Sequence, residues 1–265
     1  MIILKVLNIG HVLPFKSKNL REIIIQFKPE ALYAVGILRK ILEVLAENEI
    51  PILYITSSIL KKGRPLNIMM IVDFSKSRVP EAMLVRKLKE IDFVDDVKIY
   101  SSKTKNLFVD RFFERLNLQG RRCIIFRDSI YYGLFKSVVD AFGTGGASLL
   151  YQFGMLVGKK AFEDHIAWAE DNKEVITVLE EVFRAVGFGK LEIVSIDRIR
   201  KVVYARIYDS FEGELFRGSG NVSCNFIRGI LAGWFSRYFN SNVVAEELKC
   251  IAKGDPYCEM KISVV

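Results

Sequence analysis

The chain has 265 residues, 51% of them hydrophobic, with 39 Lys+Arg against 31 Asp+Glu and four cysteines. That length predicts two domains, each able to bury its own core. The apolar fraction excludes a disordered chain, and no apolar run approaches the ~18 residues of a membrane span.

The opening MIILKVLNIGHVLP has neither a leading basic region nor a small-residue cleavage site, so no signal peptide is expected. A soluble cytoplasmic protein with no membrane partner follows, whose cysteines serve as free thiols or metal ligands rather than disulfides. Residues 1–105 hold 18 basic and 11 acidic side chains; residues 106–265 hold 21 and 20. The basic surplus belongs to the first part, where a polyanion would dock. Without a helix-turn-helix, zinc-finger spacing or an aromatic-interleaved basic stripe, a solvated basic surface is favoured over a nucleic-acid site.

In chain order, Arg21–Phe27 (REIIIQF) reads as a buried strand, broken by Lys28-Pro29-Glu30. Ala31–Glu49 reads as a helix with Leu32, Val35, Leu38, Leu42 and Leu45 on one face. Ile52–Leu60 and Leu66–Phe74 read as strands joined through the turn Lys61–Pro65. Val79–Asp92 is a second amphipathic helix, with Met83, Leu84, Leu88 and Ile91, and Val94–Tyr100 a fourth strand. The order βαββαβ predicts a ferredoxin-like antiparallel sheet with both helices on one face.

Residues 101–106 read as a polar linker, dividing domain 1–103 from domain 104–265. Beyond it, Leu107–Leu118 reads as an amphipathic helix docked on the second core, and Arg121–Ser129 as a short strand or loop. Helices follow at Tyr131–Phe142, Ala147–Phe162 and Lys173–Ala185, then two strands in Leu191–Phe211. A helix at Ser223–Phe239 and a hairpin from Asn242 onward complete an α+β second domain. In FGTGGAS (Phe142–Ser148), Gly145 and Gly146 are expected to form a turn rather than a nucleotide loop, with Gly154 and Gly158 allowing close helix packing.

Three of the four cysteines fall within residues 224–258. Between Cys250 and Cys258, Gly254-Asp255-Pro256 favours a tight turn that brings two thiols together. Cys224 would join them from the preceding helix, and Glu246 or Glu247 could add a carboxylate. Such a set suits tetrahedral zinc in a closed, structural site. The alternative for each thiol is ordinary burial as a free cysteine, which is the reading for Cys123.

Two stretches resemble known families. FKPEALYAVGILRKIL resembles the first strand-helix junction of ACT domains, regulatory modules that bind small effectors, often amino acids, and commonly pair side by side. Those domains usually carry Pro-Gly there; here Pro29 is followed by Glu30, so dimerisation is expected above amino-acid sensing.

The runs CNFIRGILAG and EELKCIAKGDPYCE resemble the C-terminal signature of the 4-vinyl reductase (4VR) domain, a likeness that covers about residues 107–265. That family includes archaeal proteins predicted to bind hydrocarbon-like ligands and sensor regions of phenol-responsive activators. It also includes a protein linked to bacteriochlorophyll vinyl reduction, with distant relatives among vesicle-tethering subunits.

The resemblance implies zinc held by Cys224, Glu247, Cys250 and Cys258. Regular strand alternation would instead put Glu246 on the face of Cys250, so Glu247 requires a bulge or twist. The family also implies an apolar ligand cavity beside the zinc, for which Tyr151, Phe153, Trp168, Tyr204, Phe226, Trp234 and Tyr238 are candidates, each equally able to be plain packing. Ala245 offers no hydroxyl two residues before the glutamate, which disfavours phenol itself.

The two histidines, His11 and His165, fall in different domains, and His165 beside Glu163 and Asp164 reads as a solvated helix end. The expected protein is therefore a non-catalytic regulatory sensor, acting in transcription or another signalling route. It would be a homodimer with structural zinc, a small apolar or aromatic ligand and an unidentified downstream partner. The competing classes are an enzyme or accessory protein of tetrapyrrole or aromatic metabolism, and a pure assembly protein.

Overall fold

The structure is a computed structural model that describes residues 7, 9–14, 19–58, 65–104, 107–118, 120–171 and 173–265. The expected turn at 61–64, the end of the preceding strand and the end of the 101–106 linker lie outside them. The chain divides into two compact units, Met1–Ile124 and Ile125–Val265. Residues 104–124 thus fall with the first unit, beyond the boundary expected at 103/104.

The first unit opens with β1 (Val12–Pro14) and β2 (Leu20–Phe27), followed by a 3-10 turn at Pro29–Tyr33 and helix α1 (Ile37–Glu47). Strands β3 (Ile52–Ser57) and β4 (Leu66–Asp73), helix α2 (Glu81–Lys89) and strand β5 (Val94–Ser101) complete the βαββαβ series. The sheet is antiparallel, in the order β3-β4-β2-β5. Ile23, Ile25 and Phe27 on β2 and Met70 and Val72 on β4 pack with Ile41 and Leu45 of α1 and Leu84 and Leu88 of α2. The order is that of a ferredoxin-like sheet.

Two local expectations change. The helix expected at Ala31–Glu49 is interrupted because Gly36, with φ of 86°, takes a left-handed conformation that caps α1. The buried face of α1 then runs through Ile41 and Leu45, leaving Val35 fully exposed and Leu38 and Leu42 partly so.

The segment expected as helix Leu107–Leu118 forms β6 (Leu107–Val109) and β7 (Leu116–Leu118) instead. β6 pairs with β1 as a two-stranded ribbon, placing Phe108 against Leu20 and Ile71 on the sheet face opposite the helices. Beyond it the Asp110 carboxylate takes the Phe112 and Phe113 N–H groups, closing a turn that ends the strand. β7 pairs with β8 (Arg121–Cys123), where Cys123 is only partly buried.

The second unit starts with a continuous helical stretch: α3 (Asp128–Tyr131), a π-helical turn at Tyr132–Lys136 and α4 (Ser137–Ile166). The two expected helices meet at Gly143, whose φ of 53° and ψ of −129° break the axis; Gly145 and Gly146 are helical rather than a turn. Then come α5 (Glu174–Ala185), β9 (Lys190–Asp197), β10 (Val202–Tyr208), α6 (Phe211–Leu215), α7 (Asn225–Tyr238), β11 (Val243–Lys249) and β12 (Cys258–Val264). The four strands form an antiparallel sheet in the order β11-β12-β10-β9.

α7 buries Ile227, Leu231, Trp234 and Phe235 with Val203, Ala205, Ile207, Met260 and Ile262 of that sheet. α4 packs against α7 through four glycines in reciprocal register. A Cβ on Gly154 or Gly158 would lie 2.1 or 2.0 Å from the carbonyl oxygens of Phe226 and Ile230, and one on Gly229 or Gly233 would lie 2.1 Å from those of Tyr151 and Met155. Only glycine permits this backbone-to-backbone approach. Among the described residues no helix is long and apolar enough to cross a membrane.

Candidate metal centre

Cys224 is the N-cap of α7, Glu247 lies near the end of β11, Cys250 follows that strand and Cys258 opens β12. Between the last two, a 3-10 turn at Ile251–Lys253 ends at Gly254, whose φ of 99° lets the chain reverse. The Asp255 carboxylate accepts the Cys250 N–H at 2.9 Å, closing the loop.

The register of β11 against β12 decides which glutamate faces the thiols. Glu247 pairs with Met260 and Lys249 with Glu259, so β11 gains one residue at Leu248. This bulge shifts the alternation, turning Val243, Ala245, Glu247 and Cys250 inward and leaving Glu246 outside, across from Lys261.

The ligand atoms of the four residues lie within 4.8 Å of one another, and all four residues are buried. The sulfurs are separated by 3.5 Å (Cys224–Cys258), 3.8 Å (Cys250–Cys258) and 3.9 Å (Cys224–Cys250). A tetrahedron with metal–sulfur bonds of about 2.3 Å has edges of about 3.8 Å. The thiols therefore have the spacing of a coordination shell, far beyond the ~2.05 Å of a disulfide.

Glu247 Oε2 accepts the Cys224 N–H at 2.9 Å, whereas its Oε1 is buried with no donor. Burial, with Cys250 beside it, pushes the Glu247 carboxyl up to about 8. Hydrogen bonds with Cys250 and Cys258, then burial, hold the Cys224 thiol well above its ordinary value. Cys250 sits below its own, because Cys224 and Cys258 donate to it. Without a cation this set keeps protons that a divalent metal would displace. An orphaned carboxylate oxygen, three sulfurs at tetrahedral spacing and a dry surround fit a thiolate-preferring metal.

Three residues that sequence reasoning missed brace this centre. Ser210 Oγ lies 3.4 Å from Cys224 Sγ and accepts the Gly213 N–H. Gly213 leaves room for the sulfurs: a Cβ there would lie 3.0 Å from Cys258 Sγ and 3.4 Å from Cys224 Sγ. Glu212, wholly buried, accepts the Phe226 and Ile227 N–H groups at 2.9 Å each, capping the α7 turn that carries Cys224. Nothing in the local pattern of DSFEGEL signals a partner helix lying 14 residues away.

The seven aromatic candidates are dispersed. Trp234 is fully buried, with Phe162, Phe235 and Tyr238 around it. Its Nε1–H donates to His165 Nδ1 at 3.1 Å, so His165 is a buried core residue and not a solvated helix end. Trp168 stacks on His165 but is 44% exposed, and Phe153 and Tyr204 are 49% and 37% exposed. Tyr151 lies under Arg228 and accepts the Ala245 N–H; Phe226 meets Phe135 and Phe188 edge-on. An open depression of about 460 Å³ in this unit is lined by other residues, including Tyr131, Tyr132, Asp209, Phe211 and Glu214.

A sheet-backed helix whose N-cap thiol meets two thiols and a carboxylate of a hairpin defines a class of α+β unit built around a metal-ligating tetrad. The second unit carries a 4-vinyl reductase (4VR) domain: residues 203–264 match that family's model.

Two relatives are uncharacterized proteins of Methanocaldococcus jannaschii. MJ0150 is 24% identical over 136 residues, 51% of this chain and 75% of its own length. MJ1642 is 26% identical over 131 residues, 49% and 73%. Among solved structures, the phenol-responsive sensory domain of the transcription activator PoxR with phenol aligns at TM-score 0.48 and 20% identity, covering 55% of this chain and 78% of that one. A vinyl-4-reductase family protein from M. jannaschii aligns at TM-score 0.38 and 22% identity, covering 54% and 84%.

Proposed function

We propose that this chain is a non-catalytic regulatory protein whose 4VR unit binds a small apolar or aromatic molecule and is stapled by structural zinc at Cys224, Glu247, Cys250 and Cys258. The observation that carries the reading is the tetrad itself, three sulfurs 3.5–3.9 Å apart around an orphaned carboxylate oxygen, inside a 4VR domain. Four protein ligands leave zinc no open position for substrate water, which favours a structural role over a catalytic one. The metal would fasten the start of α7 to the β11–β12 hairpin, and ligand occupancy would shift the population of arrangements that a partner reads.

The ACT-like first unit supplies dimerisation in this reading. Its two edge strands differ: β5 carries Asp95, Asp96 and Lys98, whereas β3 (ILYITS) carries no charge or proline and leaves Leu53 and Ile55 exposed. Edge strands that stay unpaired are usually blunted by charge or proline, so β3 is the edge suited to a second copy.

Native mass spectrometry of the full chain, purified under reducing and chelator-free conditions, tests the reading. One zinc per chain, a dimer and a retained small molecule are the expected masses. Less than about 0.3 zinc per chain sinks the staple, and a spectral change with turnover on adding a tetrapyrrole would move the protein to the enzyme class.

A further inference from the structure

Away from the metal centre, the first unit buries a second group of titratable side chains. Glu22, at the middle of the sheet on β2, is completely buried. Its Oε2 accepts the Arg111 N–H at 3.0 Å, but its Oε1 is sealed from water and meets no donor. The polar side chain within hydrogen-bonding reach of this carboxyl is Asp110.

Asp110 is already an acceptor three times over. Its Oδ1 takes the Phe112 and Phe113 N–H groups at 2.8 and 3.0 Å, and its Oδ2 takes His11 Nδ1 at 2.8 Å. Two carboxylates facing each other in a dry site cannot bond; one proton between them makes the bond and removes the repulsion. The remaining neighbours do not substitute for that proton. Across the sheet Glu22 meets Ile71 of β4 and Tyr100 of β5, and the Arg111 guanidinium lies 5.5 Å over the Tyr100 ring.

We propose that Glu22 and Asp110 share one proton, and that this proton fastens the β1–β6 ribbon and the turn after it to the open face of the sheet. The ribbon is otherwise held lightly, by Phe108 and Leu13 against Leu20, Ile71 and Tyr54. Residues His11 and Asp110 are tied to each other by side chain and by the Asp110 N–H to His11 carbonyl bond, so they move as one piece. Losing the proton leaves two buried anions at the seam, and the seam opens to hydrate them. The device is a pH-sensitive latch, independent of the metal and of the ligand reading.

Burial, then the Asp110 carboxyl, pushes Glu22 up to about 8. Asp110 stays below its ordinary value: burial acts against this, but the Phe113 N–H, the Glu22 carboxyl, the Phe112 N–H and His11 all hydrogen-bond to it. A carboxyl whose closed-state value is raised above its solvated one stabilises the closed form fully below about 4.5. That stabilisation is lost as pH rises to about 8, beyond which the effect levels off.

Amide hydrogen exchange on the full chain, corrected for the intrinsic pH dependence of exchange, measures the latch. Protection of residues 107–113 should fall on the order of 10²–10³-fold between about pH 5 and 8 and then flatten, while Ile24 and Ile25 in β2 keep theirs. In Glu22→Gln the amide donates to Asp110 at every pH, so the fall should vanish. Flat protection in the wild type, or the same fall in Glu22→Gln, overturns the proposal. Should that variant not fold, the Glu22 carboxyl carbon followed by NMR in the wild type decides: a midpoint well above the ordinary carboxyl value supports the latch, and one near about 4.5 overturns it.

Discussion

Replacing Gly158 by alanine tests whether the α4–α7 crossing holds the second unit together. The new Cβ would lie 2.0 Å from the Ile230 oxygen and 2.8 Å from both the Ile230 carbonyl carbon and the Trp234 nitrogen, all backbone atoms with no rotamer to turn aside. Ordinary contact begins near 3.4 Å, so the helices must part by more than 1 Å along that direction. The glycines at 154, 229 and 233 lose their contacts together.

Overpacking of this kind costs about 1–3 kcal/mol and more when backbone must move, against a helix-propensity gain of about 1 kcal/mol. A net loss of about 2–4 kcal/mol follows, which at a slope of roughly 2 kcal/mol/M lowers the urea midpoint by about 1–2 M. Both tryptophans, Trp168 and Trp234, lie in this unit, so their fluorescence reports its unfolding alone.

Gly145→Ala in the same helix is the control, because a Cβ there meets open space and should stabilise by up to about 1 kcal/mol. The two changes must have opposite signs. A Gly158→Ala protein as stable as wild type, or a Gly145→Ala protein equally weakened, would refute the reasoning.

Replacing Cys258 by serine should abolish metal retention and lower the thermal midpoint; a loss of about 3 kcal/mol corresponds to roughly 6–12 °C, read by calorimetry beside elemental analysis. Gly213→Ala should act differently, leaving the metal-free fold nearly intact while weakening zinc binding about 10–100-fold, because sulfurs held by a metal cannot yield to the new methyl; competition with a chromogenic chelator measures it. Acidification should release the metal as the thiolates take up protons, followed by zinc content against pH. His165, whose imidazole burial holds below its ordinary value, accepts the Trp234 N–H and must be neutral to do so. Its contribution is present above about pH 6.5 and lost as pH falls below it, so equilibrium unfolding of wild type should weaken on acidification more than that of His165→Gln.

What the sequence shows of the fold follows from which signals are local. Period-2 runs such as REIIIQF and the 3.6-period α2 segment appear where the pattern puts them, because each buries one face against a large core. Leu107–Leu118 misleads because a single inward residue, Phe108, suffices to anchor a three-residue strand, and Asp110 stops any helix by capturing the next amides. The dispersed aromatics show the same limit: ring size predicts burial for Trp234 but not for Trp168 or Phe153, whose exposure depends on the element opposite.

At the tetrad the division is sharpest. Three cysteines clustered near the end of the chain, with a Gly-Asp-Pro turn between two of them, are legible as a set because hairpin closure is a local property. The choice of Glu247 over Glu246 is not, since it depends on one extra residue at Leu248 that only the pairing of β11 with β12 reveals. Ser210, Glu212 and Gly213, which brace the thiols and cap α7, come from a segment that packs there through the tertiary fold. Composition and periodicity determine which side chains leave water together; which elements then face one another, and so which donors share a site, is decided by packing across long stretches of chain.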